Sequence, residues 1–105
     1  MNEDMRQKRT WLIQGFDGVE QLLQERISSA LSEKEAGALL QRLAARHLLP
    51  AEIIGASLRR GMKGYNTLLA INREPRERVI LSVGANPHYI ASLHTEYELQ
   101  ELDVS

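Results

Sequence analysis

The chain has 105 residues, a formal net charge of −1, 43% hydrophobic residues and 26% charged residues. These proportions are those of an ordinary globular domain, and they exclude a disordered, collagen-like or coiled-coil chain. The absence of cysteine excludes a disulfide framework and a thiolate zinc site. No apolar run is long enough for a membrane helix, and the first residues lack a signal-peptide apolar stretch. We therefore expect one soluble, cytoplasmic domain over residues 10–105, after a flexible N-terminus at residues 1–9.

The first third of the chain predicts a short apolar segment followed by a helix. Residues 10–14 are apolar and aromatic, and they could add a short edge strand to a sheet. Asp17 is suited to cap a helix that begins after it. Apolar residues such as Leu23 and Ile27 recur at three- and four-residue steps over residues 19–30. This spacing is typical of an amphipathic helix.

Two further helices are predicted before the middle of the chain. Ser32 and Glu35 form the sequence pattern of a capping box, and apolar residues then follow one helical face as far as residue 47. Pro50 suits the first turn of a third helix, where its missing N–H has no hydrogen bond to lose. Gly61 is a natural end for that helix.

The second half of the chain predicts a sheet. Alternating residues indicate strands over residues 65–71 and 79–83, joined by a polar turn. The alternation over residues 88–99 favours a third strand, although residues 96–102 could instead end as a helix. The length of the turn at residues 84–87 decides which face of that strand is buried. The predicted fold is α+β, with three N-terminal helices followed by a three-stranded antiparallel meander.

The charge is unevenly distributed along the chain. Residues 59–78 hold six basic residues against Glu74 and Glu77, a local charge of +4. Residues 79–105 contain no lysine or arginine and four acidic residues. A basic middle and an acidic tail favour either an anionic partner at the middle or a tail that folds back on it.

The predicted succession of three helices and a hairpin resembles a winged-helix domain in the order of its elements. Such domains place one helix in the major groove of DNA and a hairpin wing near phosphate. Neutralised phosphates supply most of the nonspecific affinity. The N-terminal half of the third helix offers few base-reading side chains, and its arginines lie at its C-terminal end. The predicted nucleic-acid-binding residues are Arg59, Arg60, Lys63, Arg73, Arg76 and Arg78.

An enzymatic alternative uses the histidines of the last strand. His88 and His94 are six residues apart, so on a strand they point to the same face, with Ser92 between them. Two imidazoles can act as general base and general acid. With Arg78 near a phosphate, they would suit a metal-independent ribonuclease. Exposed histidines on a polar strand face are the simpler interpretation.

A third alternative is an adaptor or inhibitor that binds another protein through a polar sheet face or an unpaired strand. His88, His94 and Glu96 offer too few ligands for a closed metal site. No Walker or dinucleotide-binding motif is present. We therefore predict a binding or regulatory module rather than an enzyme, with DNA, RNA or a protein as its partner. We predict no metal, no cofactor and no membrane contact, and the sequence leaves the oligomeric state open.

Overall fold

The computed structural model describes residues 9–28 and 30–103. Of the predicted flexible N-terminus, residues 1–8 lie outside the described residues, and Arg9 begins the first strand. The strands are β1 (Arg9–Asp17), β2 (Glu20–Ser28), β3 (Ile71–Arg73), β4 (Ile80–Gly84) and β5 (His88–Thr95). The helices are α1 (Glu33–Ala45), α2 (Pro50–Ala56) and α3 (Glu96–Asp103).

The five strands form one sheet in the order β2-β1-β5-β4-β3, and every neighbouring pair is antiparallel. The chain is therefore α+β, but the predicted order of three helices followed by a three-stranded meander is wrong. Two strands precede the first helix. The predicted edge strand at residues 10–14 is part of β1, which lies between β2 and β5 rather than at an edge.

The predicted helix over residues 19–30 is wrong, because this segment forms β2. Leu23 and Ile27 are four residues apart, a step that fits both the helical period and the two-residue period of a strand. Both side chains pack against the core from β2. Asp17 and Glu20 pair across a two-residue turn in which Gly18 has a φ of 63°. Glycine at the first of two turn residues is typical of a tight hairpin turn.

The other two helices lie close to their predicted positions. The Ser32 hydroxyl accepts from the Glu35 N–H, and the Glu35 carboxylate accepts from the Ser32 N–H, so the predicted capping box at α1 is confirmed. Pro50 begins α2 as predicted. That helix ends at Ala56, five residues before the predicted end at Gly61.

The strands of the second half are partly as predicted. The alternation over residues 65–71 predicted a long strand, but β3 covers only Ile71–Arg73. Residues 65–70 follow a turning path because the Asn66 side chain bonds the Glu52 carbonyl and the Leu68 N–H. The β4 strand agrees with the prediction within one residue. The turn before β5 contains three residues, because Gly84 pairs with His88.

The last predicted strand is shorter than its alternation suggested. It ends at Thr95, and residues 96–103 form α3, so the helical alternative is correct. A reciprocal pair of hydrogen bonds begins this helix: the Thr95 N–H donates to the Glu98 carboxylate, and the Glu98 N–H donates to the Thr95 hydroxyl. This is the capping-box arrangement.

The main core lies between one face of the sheet and α1. Trp11, Ile13, Leu81, Val83, Tyr89 and Ala91 come from the sheet, and Ala36, Leu40 and Ala44 come from the helix. Tyr89 is fully buried, whereas Tyr97 is 66% exposed on α3. Gly15 pairs with Tyr89, and a Cβ at Gly15 would lie 2.4 Å from the Tyr89 ring. Only glycine leaves room for that ring.

Within the described part of the chain, no helix is long and apolar enough to cross a membrane. The opposite face of the sheet carries a smaller buried region that includes Leu12 and Ser92, which pair across β1 and β5. The α3 helix, which packs against β5, contributes the buried Leu99.

Candidate nucleic-acid interface

Half of the predicted nucleic-acid-binding residues form ion pairs inside the molecule. The Arg73 Nε lies 2.9 Å from the Glu33 carboxylate on α1. The Arg76 Nε lies 2.9 Å from the Glu74 carboxylate in the same turn. The hydrogen bond from Arg73 holds the pKa of Glu33 below its usual range. These arginines, together with Arg78, are called the paired arginines below.

Arg78 has the most extensive contacts of the three. Its Nη1 donates to the Leu93 carbonyl at 3.0 Å and to the Glu98 carboxylate at 2.8 Å, and Nη2 donates to the second carboxylate oxygen. The hydrogen bond from Arg78 is the main reason that the pKa of Glu98 falls to about 2. Arg78 therefore joins β4, β5 and α3, and its charge is neutralised where it lies.

His94 belongs to the same cluster, and its hydrogen bonds define its tautomer. The Arg78 Nη1 lies 3.0 Å from the His94 Nδ1. Because a guanidinium only donates, this nitrogen must accept. The neutral ring then carries its proton on Nε2, which lies 2.8 Å from the Ser92 Oγ. Burial, and then the charge of Arg78, lowers the pKa of His94, which favours this neutral form.

The structure does not bring together the two histidines of the ribonuclease hypothesis. His88 and His94 lie on the same face of β5, as the six-residue spacing predicted. They are separated by about 20 Å, however, because a strand rises about 3.3 Å per residue. His88 stacks on Phe16 of β1, with 5.5 Å between the ring centroids. Both ring nitrogens of His94 are engaged by Arg78 and Ser92, so His94 has no free nitrogen to accept a proton from a substrate.

The other three predicted basic residues differ from the paired arginines. Arg59, Arg60 and Lys63 are exposed in the connection between α2 and β3. Among the residues that the structure describes, none of them forms an ion pair with a carboxylate. Within the described part of the chain, their positive charges are therefore not offset by an ion pair.

Two further cations lie just upstream, at the end of α1. Arg42 and Arg46 are exposed, and neither has a carboxylate partner among the described residues. Residues 42–63, called the basic segment below, contain five lysines and arginines and one acidic residue, Glu52. The Glu52 carboxylate accepts from the Leu49 N–H at 2.7 Å. Sequence reasoning missed Arg42 and Arg46, although counting charges from residue 42 would have revealed the same excess.

Exposed apolar side chains are interspersed among these cations. Leu49, Ile54 and Met62 are 68%, 62% and 45% exposed, and all three belong to the basic segment. The basic segment therefore exposes apolar as well as cationic side chains.

A cavity of about 230 Å³ adjoins the basic segment. It is lined by Ala44, His47 and Leu48 of this segment, together with Leu68 and residues 84–87. The His47 Nε2 lies 2.6 Å from the buried Tyr89 hydroxyl, which also accepts from the Arg46 Nη2 at 3.3 Å. The His47 and Tyr89 rings are stacked with 5.8 Å between their centroids. These contacts hold the imidazole in a fixed position beside the cavity.

Comparison with protein-family models, with curated proteins and with solved structures finds no match for this chain. In the described part of the chain, no group of three or more histidine or carboxylate side chains is arranged to hold a metal ion.

Proposed function

We propose that this chain is a nucleic-acid-binding domain and that its contact surface is the basic segment. The observation that carries the proposal is that the cations of the basic segment, unlike the paired arginines, form no ion pair with a described carboxylate. Arg42, Arg46, Arg59, Arg60 and Lys63 have no carboxylate partner within the described residues. Such side chains can neutralise phosphates and release condensed counterions without first losing an internal ion pair.

The proposed surface does not have the winged-helix arrangement, in which one helix enters the major groove of DNA and a hairpin wing contacts phosphate. The α2 helix has only seven residues. Arg73, Arg76 and Arg78 would each have to leave a glutamate before reaching a phosphate. The proposed contact residues therefore lie at the exposed end of α1 and in the connection that follows α2. Of the six residues predicted from the sequence, Arg59, Arg60 and Lys63 remain in this set.

The test is a binding titration of fluorescently labelled nucleic acids with the wild type and with the triple variant Arg59→Ala, Arg60→Ala, Lys63→Ala. Log affinity falls linearly with log salt, and each lost phosphate contact lowers the magnitude of this slope by about 0.7–0.9. Three lost contacts should lower it by about 2.1–2.7 and weaken binding about 100- to 500-fold at about 0.1 M salt. The ligands are duplex DNA, single-stranded DNA and single-stranded RNA.

The matched control is the triple variant Arg73→Ala, Arg76→Ala, Lys34→Ala, which removes the same formal charge elsewhere. Its salt slope should stay close to that of the wild type. Equal weakening by both variants would overturn the assignment to the basic segment. The absence of salt-sensitive binding to all three ligands would overturn the proposed function and favour a protein partner for the same surface.

A further inference from the structure

We infer that the cavity beside the basic segment receives an unpaired base, so that the domain binds single-stranded rather than duplex nucleic acid. This inference depends on the proposed function, because it names the form of nucleic acid that the same surface would bind.

The position of the cavity links it to the phosphate-binding cations. Ala44, His47 and Leu48 line the cavity and lie between Arg42 and the exposed Leu49 in the sequence. A strand whose phosphates contact Arg42 and Arg46 would carry its bases past this wall. The cavity therefore lies where a base on such a strand would be.

The lining of the cavity suits the face and the edge of a base. Ala44, Leu48, Leu68 and Pro87 provide apolar walls, and His47 provides an aromatic ring. Unpaired bases bind proteins by stacking and apolar contact, together with hydrogen bonds to their polar edges. Phosphates would gain nothing from such walls, so the occupant is the base rather than the backbone.

Asn86 supplies a hydrogen-bond donor for that edge. Its Oδ1 accepts from the Gly18 N–H in the β1–β2 turn at 3.0 Å. The opposite end of the amide, Nδ2, has no partner among the described residues. An amide held by its oxygen presents its two N–H donors, which can bond the carbonyl oxygen or ring nitrogen of a base.

Exposed apolar residues on the basic segment favour the single strand over the duplex. A duplex presents phosphates and groove edges, and it keeps the faces of its bases stacked inside. A single strand presents both phosphates and base faces. Leu49 and Met62, which are exposed among the cations, would have apolar surface to contact only in the second case.

The experiment compares oligothymidylate with an abasic strand of the same length, which keeps the phosphates and lacks the bases. We expect the wild type to bind the strand with bases about tenfold more tightly, the size of effect that stacking of one base produces. An oligouridylate arm shows whether RNA or DNA is bound more tightly. The variants are Ala85→Leu, which fills the cavity from an exposed turn, and Asn86→Asp, which keeps the acceptor for Gly18 and loses the donor.

Both variants should reduce the ratio of the two affinities, and Ala85→Leu should leave the affinity for the abasic strand unchanged. The control Ala70→Leu makes the same exchange at an exposed position outside the cavity lining and should keep the ratio. Equal binding of both strands by the wild type, or an unchanged ratio in both variants, would overturn the base site while the proposed function stands. Binding of neither strand would overturn the base site, and it would overturn the proposed function as well if duplex DNA and the oligouridylate also failed to bind.

Discussion

The paired arginines and the basic segment carry the same kind of side chain but place it in opposite electrostatic settings. Arg78 is held by a carboxylate, a carbonyl and an imidazole at the junction of β4, β5 and α3. Arg59 and Arg60 lie in an irregular connection without a carboxylate partner among the described residues. The net charge of a sequence segment therefore does not show which of its cations are already neutralised by ion pairs within the protein.

The largest expected difference in stability between the two groups is at Arg78. Replacing Arg78 with alanine removes the partner of Glu98 and the donor to the Leu93 carbonyl. Because the Arg78 and Glu98 side chains are 35% and 38% exposed, the loss is smaller than for a fully buried pair. We expect the free energy of unfolding to fall by about 1–2 kcal/mol, measured by urea denaturation.

Arg59→Ala is the matched variant for that measurement. An exposed side chain with no carboxylate partner should change the free energy of unfolding by no more than about 0.5 kcal/mol. Equal destabilisation by the two variants would contradict the difference in pairing on which the proposed function depends.

The same cluster should make the fold sensitive to acid in two stages. The pKa of His94 is lowered from 6.5 in the folded state, so protonation begins to favour the unfolded chain as the pH falls below about 6.5. The pKa of Glu98 is lowered from 4.5 to about 2. The contribution of ionised Glu98 to the free energy of unfolding is complete above about pH 4.5 and is lost as the pH falls towards about 2.

Unfolding free energies measured from pH 8 to pH 2 would test this dependence. In Arg78→Ala, the loss of stability below about pH 4.5 should shrink, because the main cause of the lowered pKa of Glu98 is removed. Identical pH profiles for the wild type and this variant would show that Arg78 does not set the ionisation of Glu98.

A smaller effect is expected at the exposed pair of Arg73 and Glu33. Both side chains are nearly half exposed, and exposed ion pairs contribute little to stability. Arg73→Ala should therefore destabilise the protein less than Arg78→Ala and lose that effect in high salt. Thermal unfolding at two salt concentrations measures this difference. A loss at Arg73 equal to that at Arg78, in both salts, would contradict this ranking.

Local signals predicted the parts of the fold that depend on neighbouring residues. The Ser32–Glu35 capping box specifies the start of α1 through its own hydrogen bonds, and Pro50 marks the start of α2. The pattern from Thr95 to Glu98 carries the same capping signal for the start of α3.

The errors arose where pairing between segments determines the structure. Gln21, Gln24 and Glu25 do not favour a strand by propensity, yet this segment pairs with β1 along its length. Tertiary pairing therefore overrides local preference. The partners of Arg73 and Arg78 lie 40 and 20 residues away in the sequence, so no local pattern identifies them. The split into a basic middle and an acidic tail indicated a tail that folds back on the middle, and the pair of Arg78 with Glu98 is such a contact.

The most direct test compares the salt dependence of nucleic-acid binding in two double variants, Arg59→Ala with Arg60→Ala and Arg73→Ala with Arg76→Ala. Both remove two positive charges, so the net charge of the protein is the same. We predict that the first variant lowers the slope of log affinity against log salt by about 1.4–1.8 and that the second leaves it close to the wild-type value. A lower slope in the second variant alone, or equal slopes in both, would contradict the assignment of binding to the basic segment.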